Sequence, residues 1–127
     1  VKELKIGFSL IGGAVGYLLG GFDIMLTTLL LFIAIDYVTG VMRAIVRKQL
    51  SSEIGFKGIF GKIIILCLVA LATRLDNILG AEALRYLVIS FYIANEGISI
   101  LENTAELDVP YPQKLKDVLE QLRKEEE

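Results

Sequence analysis

The chain contains no histidine and a single cysteine among its 127 residues. Those absences exclude zinc sites of the Cys/His type, histidine acid–base catalysis, Cys–His nucleophiles and an intrachain disulfide. Cys67, inside the apolar stretch 63–72, reads as a small apolar residue. A basic field is missing as well. Thirteen Lys and Arg against 15 Asp and Glu leave a net charge of −2, and no aromatic and arginine cluster stands ready to stack bases, so nucleic acid is set aside as a partner. Charge is scarce where the chain begins: residues 6–42 hold only Asp23 and Asp36, where an even spread of the 22% charged residues would place roughly eight. With no phosphate-cradling loop, metal-ligand set or nucleophile–base pair, no catalytic, cofactor or metal site is assigned, and the chain does not read as an enzyme.

What is present is apolar. At 54% hydrophobic residues and a mean hydropathy of +0.63, the chain is too greasy for an ordinary soluble domain of its size, and it reads as an all-α membrane protein. Four candidate membrane segments follow: 6–22, 24–42, 59–75 and 86–101. The first, ~25 Å long as a helix, follows Lys2 and Lys5 but lacks an Ala-x-Ala pattern behind it, so it is expected to be an uncleaved helix. Only residues 20–23 are available to turn the chain into the second, which predicts a tight antiparallel hairpin. The third and fourth are weaker, with Lys62 and Glu96 inside them, and an interfacial or re-entrant course is the competing reading. Residues 1–102 thus form a membrane domain and 103–127, carrying eleven charges, a cytoplasmic tail.

Basic residues fix the expected orientation. Eleven Lys and Arg fall at the N-terminus, in the connection after the second segment and in the tail, against two, Arg74 and Arg85, after the third. Four spans with both termini cytoplasmic satisfy the positive-inside bias, and they put a basic loop, 43–58, on the inner face.

Several residues stand out against this background. Gly12, Gly16 and Gly20 recur every four residues on the first segment, a ridge that permits close helix approach, either to another copy or to this chain's own helices. Asp36 and Glu96 lie at nearly the same depth, about 8 to 9 Å from the inner ends of their segments. A carboxylate at mid-membrane costs on the order of 3 kcal/mol, so neither is expected to face lipid, and Lys62 and Arg43 can reach their level. Asp36, Thr39, Gly40, Arg43 and Arg47 form one polar stripe; Tyr92, Asn95, Glu96, Ser99, Glu102 and Asn103 form another. They line an aqueous path or make a salt-bridge cluster that holds a bundle together. The tail breaks at Pro110 and Pro112 and then shows Leu115, Val118, Leu119 and Leu122 at i, i+3, i+4 and i+7, an amphipathic helix over 112–127. Its apolar stripe is expected to pack on the protein's own inner face, a neighbouring copy or a soluble partner, unless it frays in solvent.

Taken in order, Asp36-Tyr37-Val38-Thr39-Gly40, then Ser51, Ser52, Gly55, Lys57 and Gly58, then Asn95-Glu96-Gly97-Ile98-Ser99-Ile100-Leu101-Glu102-Asn103, and finally Val109-Pro110-Tyr111-Pro112 resemble the toxin-secretion/phage-lysis holin family over nearly the whole chain. The resemblance implies a small protein of the bacterial cytoplasmic membrane, with the lipid bilayer and further copies of itself as partners. It implies assembly into lesions that release a cell-wall hydrolase (endolysin) or a toxin, early triggering by depolarisation, and polar stripes that contact or line an assembled pore. A small ion or solute channel and a non-leaking scaffold that recruits a partner through its tail are the alternatives.

Overall fold

The computed structural model describes residues 1–126. Five helices follow one another, α1 Lys2–Leu18, α2 Ile24–Val46, α3 Ser52–Leu79, α4 Ala83–Glu106 and α5 Gln113–Glu126, with no strand among the described residues. Three of them, α2, α3 and α4, are long and apolar enough to cross a membrane. Each runs past the uncharged stretch that marks it in the sequence, because caps end a helix and the loss of hydrophobicity does not. Asp23 opens α2 by accepting the Leu26 N–H at 2.9 Å, and Ser51 opens α3 by accepting the Ile54 N–H at 3.2 Å, with Glu53 in the positive first turn. The Ser51 cap corrects the expected inner loop. Ser52, Gly55, Lys57 and Gly58 belong to the first two turns of α3, and only residues 47–51 connect it to α2.

The first expected segment is also displaced. α1 begins at Lys2 and stops at Leu18, four residues short of the expected end. Gly20 and Gly21 take φ of +89° and +105°, and the Gly21 N–H closes on the Gly16 carbonyl at 2.7 Å, a left-handed stop that glycine adopts without Cβ strain. At 17 residues, or about 25 Å, α1 is not among the helices of crossing length. The expectation of four spans therefore becomes three long apolar helices and a shorter one.

The hub is α4, which packs on α2, α3 and α5, whereas α1 touches only α3. Leu26 and Leu29 of α2, Ile65 and Val69 of α3, Ile89 and Ile93 of α4, and Leu19 from the first turn form the core. Outside it, Phe60, Ile63, Ile64, Leu71 and Ile78 of α3 and Phe8, Leu10 and Ile11 of α1 are exposed. Such a surface suits acyl chains and would be an aggregation hazard in water. After a six-residue connection, α5 folds back along α4, with Leu119 against Gly97 and Leu122 against the core.

Candidate functional site

Each long helix contributes one charged side chain to a single buried cluster. Lys62 of α3 donates to Asp36 Oδ2 of α2 and to both carboxylate oxygens of Glu96 of α4, at 2.9 and 2.7 Å. The two carboxylates are 7% and 5% exposed. Asn103 extends the cluster along α4: its Nδ2 donates to Asp36 Oδ1 at 3.0 Å, to Thr39 Oγ1 at 2.9 Å and to the Asp36 carbonyl at 3.3 Å. Thr39 in turn donates to the Ile35 carbonyl at 2.8 Å. The geometry ties α2, α3 and α4 together with charge-assisted bonds. The arithmetic leaves an excess: with every group ionised, two carboxylates share one ammonium, a net charge of −1.

The residues around the cluster explain the short motifs. Tyr37 turns from Asp36 toward α3, where its hydroxyl donates to the Gly55 carbonyl at 3.4 Å. A Cβ on Gly58 would lie 3.4 Å from the Tyr37 ring and one on Gly55 3.5 Å from its hydroxyl, so the two glycines make room for the tyrosine. Gly40 faces Asn103 in the same way, 3.7 Å from its Nδ2. A cavity of about 190 Å³ leads to the cluster from the end of the bundle where α2 finishes and α3 begins, lined by Asp36, Arg43, Lys62, Ser99 and Asn103 together with Gly55. The Arg43 side chain sits on this wall, with no ion pair or hydrogen bond to a side chain or backbone group among the described residues. Ser99 joins the cavity; Asn95 is half-buried without a bond to the cluster, and Glu102 points out to the exterior. Arg47 pairs with Glu106 instead, at the rim.

A second polar group closes the opposite end. Arg85 donates to the Leu19 carbonyl at 2.7 Å, the Gly21 carbonyl at 2.9 Å and the Asp23 carboxylate at 2.8 and 3.2 Å, stapling the first turn to the start of α4. Its guanidinium lies where a Cβ on Gly20 would be. Asp76, in the last turn of α3, accepts the Leu84 and Arg85 N–H groups at 3.0 and 2.8 Å and so caps α4. The Arg85 hydrogen bond, ahead of the opposing effect of burial, holds the Asp23 carboxyl below its ordinary value of 3.8. None of these three side chains stands out in the sequence beyond a count of charges.

Two expected surfaces are corrected. The glycine positions do not form one open ridge: space is open beside Gly12, but the Phe22 ring fills the place beside Gly16 and Arg85 the place beside Gly20. The reason is the tight turn, which folds Phe22 back on its own helix. Nor does the tail stripe act as one face. Leu119 and Leu122 are half-buried with Lys116, Glu120 and Arg123, whereas Leu115 and Val118 are 51% and 56% exposed. The seat beside Gly97 takes Leu119 and sets the rotation of α5, which leaves the other half of the stripe outside.

A sequence model of the bacteriophage holin family matches residues 13–124. The chain is 46% identical to the uncharacterized 14.9 kDa protein in the nagH 3' region of Clostridium perfringens over 124 residues, 96% of this chain and 94% of that one. It is 45% identical to an uncharacterized protein of Listeria innocua over 117 residues, 91% and 84% of the two chains, and 37% identical to the uncharacterized protein YqxH of Bacillus subtilis over 126 residues, 98% and 89%. No solved structure matches.

Proposed function

The chain belongs to the bacteriophage holin family, and from that premise we propose that it assembles with copies of itself in the bacterial cytoplasmic membrane and opens it to a cell-wall hydrolase or a toxin. The observation that carries the proposal is the buried cluster of Asp36, Lys62 and Glu96, two carboxylates on one ammonium inside three helices of membrane-crossing length. Hydrocarbon cannot solvate that charge, and a mid-membrane charge costs on the order of 3 kcal/mol on insertion scales. An isolated chain must screen it with its own helices and with the polar lining of the adjoining cavity. An aqueous space shared between chains relieves the same cost, so the cluster favours assembly around water. In this reading Asp36, Thr39, Arg43, Lys62, Asn95, Glu96, Ser99 and Glu102 contact or line the assembled path.

Topology follows the basic residues: both termini cytoplasmic, residues 1–102 as the membrane domain and 103–127 as the tail. α1 then enters the bilayer as a fourth, short segment, with its exposed Phe8, Leu10 and Ile11 toward lipid or a neighbouring chain. A selective channel would pass ions or small solutes but exclude folded proteins, and a scaffold would pass nothing. The deciding experiment expresses the full chain with and without a cytosolic wall hydrolase and follows membrane potential and culture turbidity. Depolarisation in both cultures, with abrupt clearing only where the hydrolase is present, is expected. Depolarisation without clearing in either would leave a channel, and no depolarisation would leave a scaffold.

A further inference from the structure

We infer that the docked α5 is the water-facing wall of the assembled protein at membrane depth, and that the dispersed, lipid-surrounded chain carries this helix undocked. The inference rests on the proposed function and names the surface that borders the opening. Its first observation is depth. Both Cδ atoms of Leu119 occupy the space a Cβ on Gly97 would need, at 2.8 and 2.9 Å, with the Phe32 ring at 3.3 Å. Gly97 lies 14 residues into α4 and nine from its end, and Phe32 lies eight residues into α2, so this contact is well inside two helices of crossing length. Three residues further on, Leu122 packs on the core that contains Leu29, Ile89 and Ile93. The tail helix therefore does not rest on the inner end of the bundle; it runs back alongside it.

The second observation is chemistry. Lys114, Asp117, Gln121 and Lys124 recur at three- and four-residue steps on the outward side of α5, and all four are exposed, with Val118 among them and Leu115 at their flank. Acyl chains offer no partner to an ammonium or a carboxylate, so this helix cannot keep its seat and face lipid at once. The third observation is the other flank. α3 packs on α4 without touching α5, and its outward side carries Phe60, Ile63, Ile64 and Leu71. One molecule thus has a side made for lipid and a side made for water. Chains that gather with α5 turned inward enclose a charged wall, while a chain alone in the bilayer meets the same constraint by releasing α5 to the cytoplasmic surface.

The test pairs Gly97→Cys with Leu119→Cys in a Cys67→Ser background, using the full chain in phosphatidylethanolamine and phosphatidylglycerol vesicles loaded with a fluorescent dextran. Mild oxidation should cross-link few chains at low protein density in sealed vesicles and severalfold more in vesicles that have released dextran, and cross-linked chains should still release it. Equal cross-linking in sealed and leaking vesicles, or loss of release on cross-linking, would overturn the inference while leaving the proposed function standing. Gly97→Leu fills the seat and should reach the membrane in wild-type amount yet lose dextran release; wild-type release by this variant would also overturn it. A wild-type chain that releases no dextran at any density would remove the proposed function and this inference with it.

Discussion

The two ends of the bundle solve the same problem, holding helices together with charge, in opposite ways. At the end where α1 turns into α2, one guanidinium meets one carboxylate and two carbonyls, and the Asp23 side chain is 47% exposed. The Arg85–Asp23 pair is balanced and has water within reach, while Asp76 beside it is buried and held by two backbone N–H groups. In the cluster of Asp36, Lys62 and Glu96, two carboxylates share one ammonium, nearly out of solvent. A balanced pair at the rim fixes a turn and little else. An unbalanced one at depth holds three helices together and, in the proposed function, is what makes a solitary chain costly in lipid.

The comparison breaks most visibly at Lys62. Lys62→Met strands two buried carboxylates, and breaking a buried pair by removing one partner costs about 3 to 5 kcal/mol. Most of the folded, inserted protein should be lost, read as membrane-fraction level. Adding Asp36→Asn and Glu96→Gln should restore that level, because replacing a whole ionic group is far less damaging than removing one member. Failure of the triple variant to accumulate would show that the cluster supports the fold by more than charge.

A smaller effect is expected at the other end. Arg85→Ala removes bonds to two carbonyls and a carboxylate and should cost roughly 1 to 3 kcal/mol of stability, read as a lower melting temperature in detergent. It should also change the acid response. The Asp23 carboxyl is held below its ordinary 3.8 in the folded chain, so its contribution is present above that value and is lost as pH falls through the lowered one. The Asp23 part of wild-type stability should therefore be lost only in strong acid, and Arg85→Ala should remove that part; an unchanged acid profile would mean that Asp23 does not titrate against Arg85. Because Asp23 is half exposed, solvent screening keeps this contribution small. Smallest of all is Glu106→Gln, which breaks the exposed pair with Arg47 and should change stability by less than about 1 kcal/mol. A larger loss would move that rim pair into the same class as the buried cluster.

The same residues differ in how legible they are from sequence alone. Asp36, Lys62 and Glu96 stand out because charges inside apolar runs are expensive, and helical rise by itself puts the two carboxylates at one depth. Asn103 is visible as part of a polar stripe, but its three bonds to α2 depend on how deeply α4 slides against α2. The long helices are evident from apolar length, whereas their ends are not, since Ser51 and Asp23 act through a single cap bond each. Spacing misleads at the glycine ridge because Phe22, just past the glycines that turn the chain, folds back onto Gly16. The placement of α5 is hidden for a related reason: it depends on the fit of Leu119 to Gly97, 22 positions apart in the chain, which no periodicity within the tail reveals.

Glu96→Gln shows most directly whether the charge of the cluster drives assembly. The substitution keeps the shape of the side chain and one of its two bonds to Lys62, and it removes the excess charge that the cluster carries when every group is ionised. Membrane-fraction level and lysis onset would be followed in cells that also hold a cytosolic wall hydrolase. A wild-type protein level with a delayed onset or none is expected, because a neutral cluster does not make solitary chains costly in lipid. Wild-type level together with wild-type timing would contradict it.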